Sequence, residues 1–334
     1  MTAPQPGTPE FEAAITWSTG EDERHVARTD DGWNLALYRY RAATPSHPHP
    51  VVMGHGLCGS HYIFDVHDQC SMARALAARG FDVWLVDLRG RGESWPDGGP
   101  DLELQWTFDD FVFHDVPAAV ERVAELAGTH EVWWLGTEMS GIAYYAVGIS
   151  RTAPRIRGGI TLGSPAVTPT SAEIAGVTTP FPERSGARYP FSMASEIGPL
   201  LAVQRSDVLE SSFRPVNTDW RATARYFRYG VPDESTAIVD QFKDWIAAAS
   251  MRSVDGSVVW SDRLGEVVTP TLLLAGSADR QRPIAAVEQT FRALGAADKT
   301  FVRADGFGHD DLLAGLRSPA EVYPLLANWL TERT

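Results

Sequence analysis

Apolar and polar residues are not spread evenly along the chain. His25 to Thr29 and Asn34 to Arg41 read as two strands flanking Asp30-Asp31-Gly32, a turn tripeptide that predicts an opening β-hairpin, and Pro45 to Pro50 reads as a loop. The pattern then changes. Val51-Val52-Met53 and Val83-Trp84-Leu85-Val86 are short, nearly continuous apolar runs that end in Gly-rich or charged loops, as expected of strands buried on both faces. Helical spacing between and after them predicts helices over Cys70 to Arg79, Phe113 to Leu126 and Met139 to Ser150, with strands at Val132 to Leu135 and Ile156 to Leu162. The same alternation resumes with a strand at Thr271 to Leu274, a helix over Ile284 to Leu294, a strand at Thr300 to Val302 and a last helix over Pro319 to Thr331. Strands alternating with helices predict a parallel sheet covered on both sides.

The interval from 166 to 264 breaks this rhythm. Pro199 to Leu209 and Thr236 to Met251 have helical spacing, and aromatics recur at Trp220, Tyr226, Phe227, Tyr229 and Trp245. We expect an inserted helical cap over 166–264, between the sixth and seventh strands of a core made of 21–165 and 265–334, with 1–20 as an N-terminal tail. Loops at the carboxyl edge of such a sheet are where sites form.

Composition narrows the function. The 334 residues are 44% hydrophobic and 22% charged, an ordinary globular balance. A formal charge of -14, with no run of Lys or Arg, speaks against nucleic acid or a membrane surface as partner. No apolar run reaches the roughly 18 residues of a membrane span, and the opening MTAPQPGTPE is not a secretory signal. The two cysteines, Cys58 and Cys70, make no disulfide framework, so a cytoplasmic location is expected. His61, Asp65, His67 and Asp68 have ligand chemistry but match no metal spacing, and no metal or cofactor is expected.

The segment Trp133-Trp134-Leu135-Gly136-Thr137-Glu138-Met139-Ser140-Gly141 is an apolar strand running into Gly-x-Glu-x-Ser-Gly and then a helix, the layout of a nucleophile elbow. Small residues flank the central side chain there because the turn is too tight for others. The central residue is Glu138. His55-Gly56-Leu57-Cys58 follows the first parallel strand, where the Leu57 N–H is positioned to form an oxyanion hole with the N–H of Met139. Gly276-Ser277-Ala278-Asp279 and Gly306-Phe307-Gly308-His309 close the last two strands, which puts nucleophile, acid and histidine in the order such a site needs.

With these motifs, residues 20 to 332 resemble the α/β-hydrolase superfamily. Asp87-Leu88-Arg89-Gly90-Arg91-Gly92-Glu93-Ser94 looks like its D-x-R-G-x-G-x-S loop. Trp106-Thr107-Phe108-Asp109 and Asp115-Val116-Pro117-Ala118 are similar to the branch of acid lipases and polyhydroxyalkanoate synthases. The resemblance implies an α/β-hydrolase fold with a mostly parallel sheet, Asp279 as triad acid, His309 as triad base, and the Leu57 and Met139 amides as oxyanion donors. It departs at Glu138, where that branch has Ser or Cys.

A carboxylate needs no deprotonation to act as a nucleophile, but its attack on a plain ester gives a mixed anhydride that collapses backwards. Related epoxide hydrolases and haloalkane dehalogenases use a carboxylate here, yet it is Asp. General-base work is the other chemistry open to Glu138. The expected function is therefore an enzyme acting on a hydrophobic, oxygenated small molecule (ester, lactone, thioester or epoxide-like), with Glu138 as base or nucleophile beside His309 and Asp279. Cys58, Trp220, Tyr226 and Phe227 are candidate substrate contacts. The alternatives are a lyase, cyclase or dehydratase of secondary metabolism, and a catalytically inactive ligand-binding protein.

Overall fold

The computed structural model describes residues 3–101, 103–166, 187–204, 209–210 and 212–334. Eight strands, β1 (Glu23–Arg28), β2 (Asn34–Tyr40), β3 (Val51–Gly54), β4 (Val83–Val86), β5 (Val132–Thr137), β6 (Ile156–Leu162), β9 (Thr271–Gly276) and β10 (Lys299–Ala304), form one sheet. A separate two-stranded ribbon pairs β7 (Arg188–Tyr189) with β8 (Glu234–Ser235). In the sheet the order is β1-β2-β4-β3-β5-β6-β9-β10; the β1–β2 and β2–β4 pairs are antiparallel and all others parallel.

Every residue of β3, β4 and β5 is buried, because alternate side chains feed two cores on opposite faces. Val52, Trp84 and Trp134 enter one core, with the helices Val116–Ala127 and Met139–Ser150. Val51, Met53, Leu85, Trp133 and Leu135 enter the other, with Met72–Ala77 and Ser318–Thr331. Met139–Ser150 is buried almost all round, which explains its near-continuous apolar sequence.

The helices expected over Cys70 to Arg79 and Phe113 to Leu126 are shorter and later. Ser71 caps the first through the Arg74 amide, and the second is preceded by a π-turn at Phe111–Asp115. The N-terminal stretch also differs from a plain tail. Pro9–Ile15 is a helix capped by the Thr8 side chain, and it buries Phe11 and Ile15 against Ala202 and Ala224. Between β6 and β9, the sixth and seventh strands of the sheet, stand the helices Ala194–Gln204, Trp220–Gly230 and Thr236–Ala248. The expected helix Pro199 to Leu209 thus begins earlier, with Pro199 inside it, and residues 205–208 lie outside the described residues. No helix among the described residues is long and apolar enough to cross a membrane.

Candidate active site

The loops that leave β3, β5, β9 and β10 at their carboxyl ends converge. Glu138 sits between β5 and its helix at φ 48°, ψ −111°, a conformation that few residues with a side chain adopt. The turn is this tight because backbone meets backbone: a Cβ on Gly136 would lie 2.4 Å from the Gly141 nitrogen. Glu138 N–H donates to the Leu162 carbonyl at 2.9 Å, locking the apex to the end of β6. Ser140 is wholly buried, and its hydroxyl donates to the carbonyls of Gly54 and Thr137, so it belongs to the scaffold of the turn.

His309 Nδ1 bonds Asp279 Oδ2 at 2.7 Å, so the acid and histidine meet as the sequence order anticipates. Burial of the ring opposes its charge, but the Asp279 carboxylate, joined by the charges of Asp310 and Glu138, outweighs that and raises His309 to about 9. At neutral pH it is an imidazolium. Asp279 takes up Nδ1, which leaves Nε2 outside that bond.

The Glu138 carboxylate is held at both oxygens. Oε2 accepts from the Leu57 N–H at 2.7 Å, and Oε1 pairs with the Arg282 guanidinium. The donor expected to hold a substrate oxyanion thus holds this carboxylate instead. Glu reaches it because its side chain is long, and because Gly56 leaves room: a Cβ there would lie 2.6 Å from Oε2.

Three residues that sequence reasoning missed complete the site. Arg282 stands just before Pro283, and its backbone N–H, with that of Gln281, donates to Asp279 Oδ1 at 2.8 Å. Asp310 follows His309 and accepts from the Tyr226 hydroxyl at 2.7 Å, and its burial pushes it upward in pKa. Glu234, at the end of the β7–β8 ribbon, is wholly buried; it accepts from the Cys58 N–H at 3.1 Å and from Trp106 Nε1 at 2.9 Å, and pairs with the buried Arg91. A charged residue beside each motif was the available signal for Arg282 and Asp310. Nothing local marks Glu234.

Of the candidate substrate contacts, Cys58 and Tyr226 lie close enough to Glu138 to feel its charge. Trp220 stacks on Phe11 of the N-terminal helix at 6.0 Å, and Phe227 packs edge-on against Phe213 and Tyr226. His55 is scaffold: it bonds the Gly56 carbonyl and accepts from the Leu88 N–H, and burial lowers it to about 4. His61 pairs with Asp87, and Asp65 accepts from Tyr40 and Arg74. Asp30, Asp31 and His114 come within 4.8 Å of one another, but Arg89 already supplies the cation on Asp31.

A family model described as the alpha/beta hydrolase fold matches residues 49–316, and the chain belongs to that family. It is 29% identical over 156 residues to human lysosomal acid lipase/cholesteryl ester hydrolase, covering 42% of this chain and 38% of that one. It is 23% identical over 347 residues to a poly(3-hydroxyalkanoate) polymerase subunit of Haloferax mediterranei, covering 95% of this chain and 65% of that one. The matches thus span less than two thirds of either relative. Among solved structures, a soluble variant of monoglyceride lipase from Saccharomyces cerevisiae, in complex with a substrate analog, superposes with a TM-score of 0.65 over 99% of both chains at 18% identity, a likeness of fold.

Proposed function

We propose that the protein is an acid–base enzyme that hydrolyses a hydrophobic, oxygenated small molecule without forming an ester on the enzyme. The observation that carries this is an apex carboxylate whose charge reaches a histidine raised by Asp279: Glu138 accepts a proton, and His309 carries one to give. Each Glu138 oxygen has one protein partner and keeps a lone pair for a water molecule. Glu138 takes a proton from that water as it attacks the substrate carbon, and His309 Nε2–H protonates the departing oxygen. The proton on Glu138 then returns to His309, so one water is added across one bond.

The relatives' names, a cholesteryl ester hydrolase and a monoglyceride lipase, support an acyl ester as the bond and an apolar chain beside it. Residues 166–264 act as a cap in this reading. Tyr226 on Asp310 and Glu234 on the Cys58 amide support it, since each ties the insertion to a loop of the site.

The test is a panel of p-nitrophenyl esters, lactones and aryl epoxides with wild type, Glu138→Gln and His309→Gln, read by turnover and intact mass. Loss of a general base costs on the order of a hundredfold in rate, and neither variant gains mass. A substrate-derived adduct on Glu138 in His309→Gln overturns the base role in favour of a nucleophile. Isomerisation or dehydration without uptake of heavy oxygen from water points to the lyase or cyclase alternative.

A further inference from the structure

Arg282 has no part in the order of motifs that defines this fold's site, yet it is fixed as firmly as the residues that do. Its backbone N–H donates to Asp279 Oδ1 at 2.8 Å, its Nη1 donates to the Gln281 carbonyl at 3.0 Å, and Pro283 behind it restricts its backbone to extended conformations. Its Nη2 reaches Glu138 Oε1. The other oxygen of Asp279 holds His309. One carboxylate therefore orients two cations, His309 through Oδ2 and Arg282 through Oδ1, and both act on Glu138.

We propose that Arg282 is the positioning residue of this site: with the Leu57 N–H it clamps both oxygens of Glu138 and holds the carboxylate in one orientation. The proposal rests on the acid–base reading of Glu138 and names a further residue that reading requires. A long carboxylate at the apex of a strained turn has several rotamers, and two charge-assisted bonds at opposite oxygens leave it one. The clamp also explains why the Leu57 amide is taken. Negative charge that develops on the substrate then falls to the cations, Arg282 and His309, rather than to that amide.

The groups that face Glu138 are the cations Arg282 and His309, and Asp310, Tyr226 and the Cys58 thiol, whose own proton affinities its charge shifts. Without the Arg282 side chain, Oε1 loses the partner that orients it, and Oε2 keeps the Leu57 N–H.

The experiment uses full-length protein labelled with 13C at the Glu side-chain carboxyls. The infrared difference between each protein and its E138Q counterpart isolates the Glu138 carboxylate band, whose position and width are compared at one pH in wild type, R282Q and R282K. Expected is a Glu138 carboxylate band that in R282Q is broader than in wild type and displaced from it, with R282K in between. A band of unchanged position and width in both variants overturns the proposal. The Asp279 bond to the Arg282 N–H is a backbone bond and survives both substitutions, and R282K serves if R282Q does not fold. Turnover with p-nitrophenyl butyrate adds a second arm: kcat in R282Q falls at least tenfold, more than KM changes, and R282K recovers part of the loss. If the Glu138 band shifts as expected but E138Q turns over like wild type, the acid–base reading has failed while the clamp stands.

Discussion

Glycine should be better than alanine at the apex of the elbow. Glu138→Gly and Glu138→Ala remove the same carboxylate, and so the same bonds to Leu57 N–H and Arg282. That loss cancels when the two variants are compared. What differs is the backbone, held at φ 48°, ψ −111° by the Gly136–Gly141 contact and the Glu138 N–H to Leu162 bond. A residue with a Cβ in so sparsely populated a region costs about 1–3 kcal/mol. Glycine escapes that cost but loses about 0.4–1 kcal/mol through the larger entropy of its unfolded chain. The net expectation is that Glu138→Gly is more stable than Glu138→Ala, by up to about 2.5 kcal/mol. Urea unfolding followed by tryptophan fluorescence measures it; at roughly 2 cal/mol/K of unfolding entropy per residue the same difference is up to about 4 °C in Tm. An alanine variant equal to or more stable than the glycine variant would refute the claim that the fold strains this position, and with it the view that Glu138 is held there for a purpose.

Three further outcomes follow from the same geometry. Glu138→Ser frees the Leu57 amide and places a hydroxyl at the apex near His309 and Asp279, so it should show burst release of p-nitrophenol from activated esters; a folded variant with no burst speaks against the His309 and Asp279 roles. His309 should titrate near pH 9 by NMR of its ring protons, and lower in Asp279→Asn. Because its pKa is raised on folding, the stability it adds is complete below pH 6.5, its ordinary value, and is lost as pH rises through about 9, so denaturation midpoints should fall across that window and the fall should vanish in His309→Gln. Glu234→Ala leaves the buried Arg91 without its partner and should cost about 3–5 kcal/mol in urea unfolding, whereas Glu234→Gln, which keeps an acceptor for Cys58 and Trp106, should cost less.

How much of this was legible beforehand differs by element. The sheet was, because strands buried on two faces must be apolar throughout, and β3, β4 and β5 carry no polar alternation to mislead. The elbow was as well: Gly136 and Gly141 are demanded by a backbone contact that lies within six residues of chain. Asp279 and His309 could be placed because each follows its strand directly, and the parallel order of β9 and β10 brings the two loops together. The helix Pro9–Ile15 was written in Thr8 and Pro9 at its start, but seven residues carry too little periodicity to stand out from a tail.

Sequence by itself determined the strand and helix rhythm, the sharp turn at Glu138 and the chemistry on offer there, since each depends on neighbours a few residues apart. Only the tertiary structure decided what that chemistry is joined to. Glu138 meets Leu57 and Arg282, 81 and 144 positions away, and Glu234 meets Cys58 and Arg91, 176 and 143 positions away. The partner of a long charged side chain is whichever opposite charge the folded loops bring within about 3 Å. In a chain with 43 acidic and 29 basic residues, composition and spacing leave that choice open, and loop closure at the carboxyl edge of the sheet makes it.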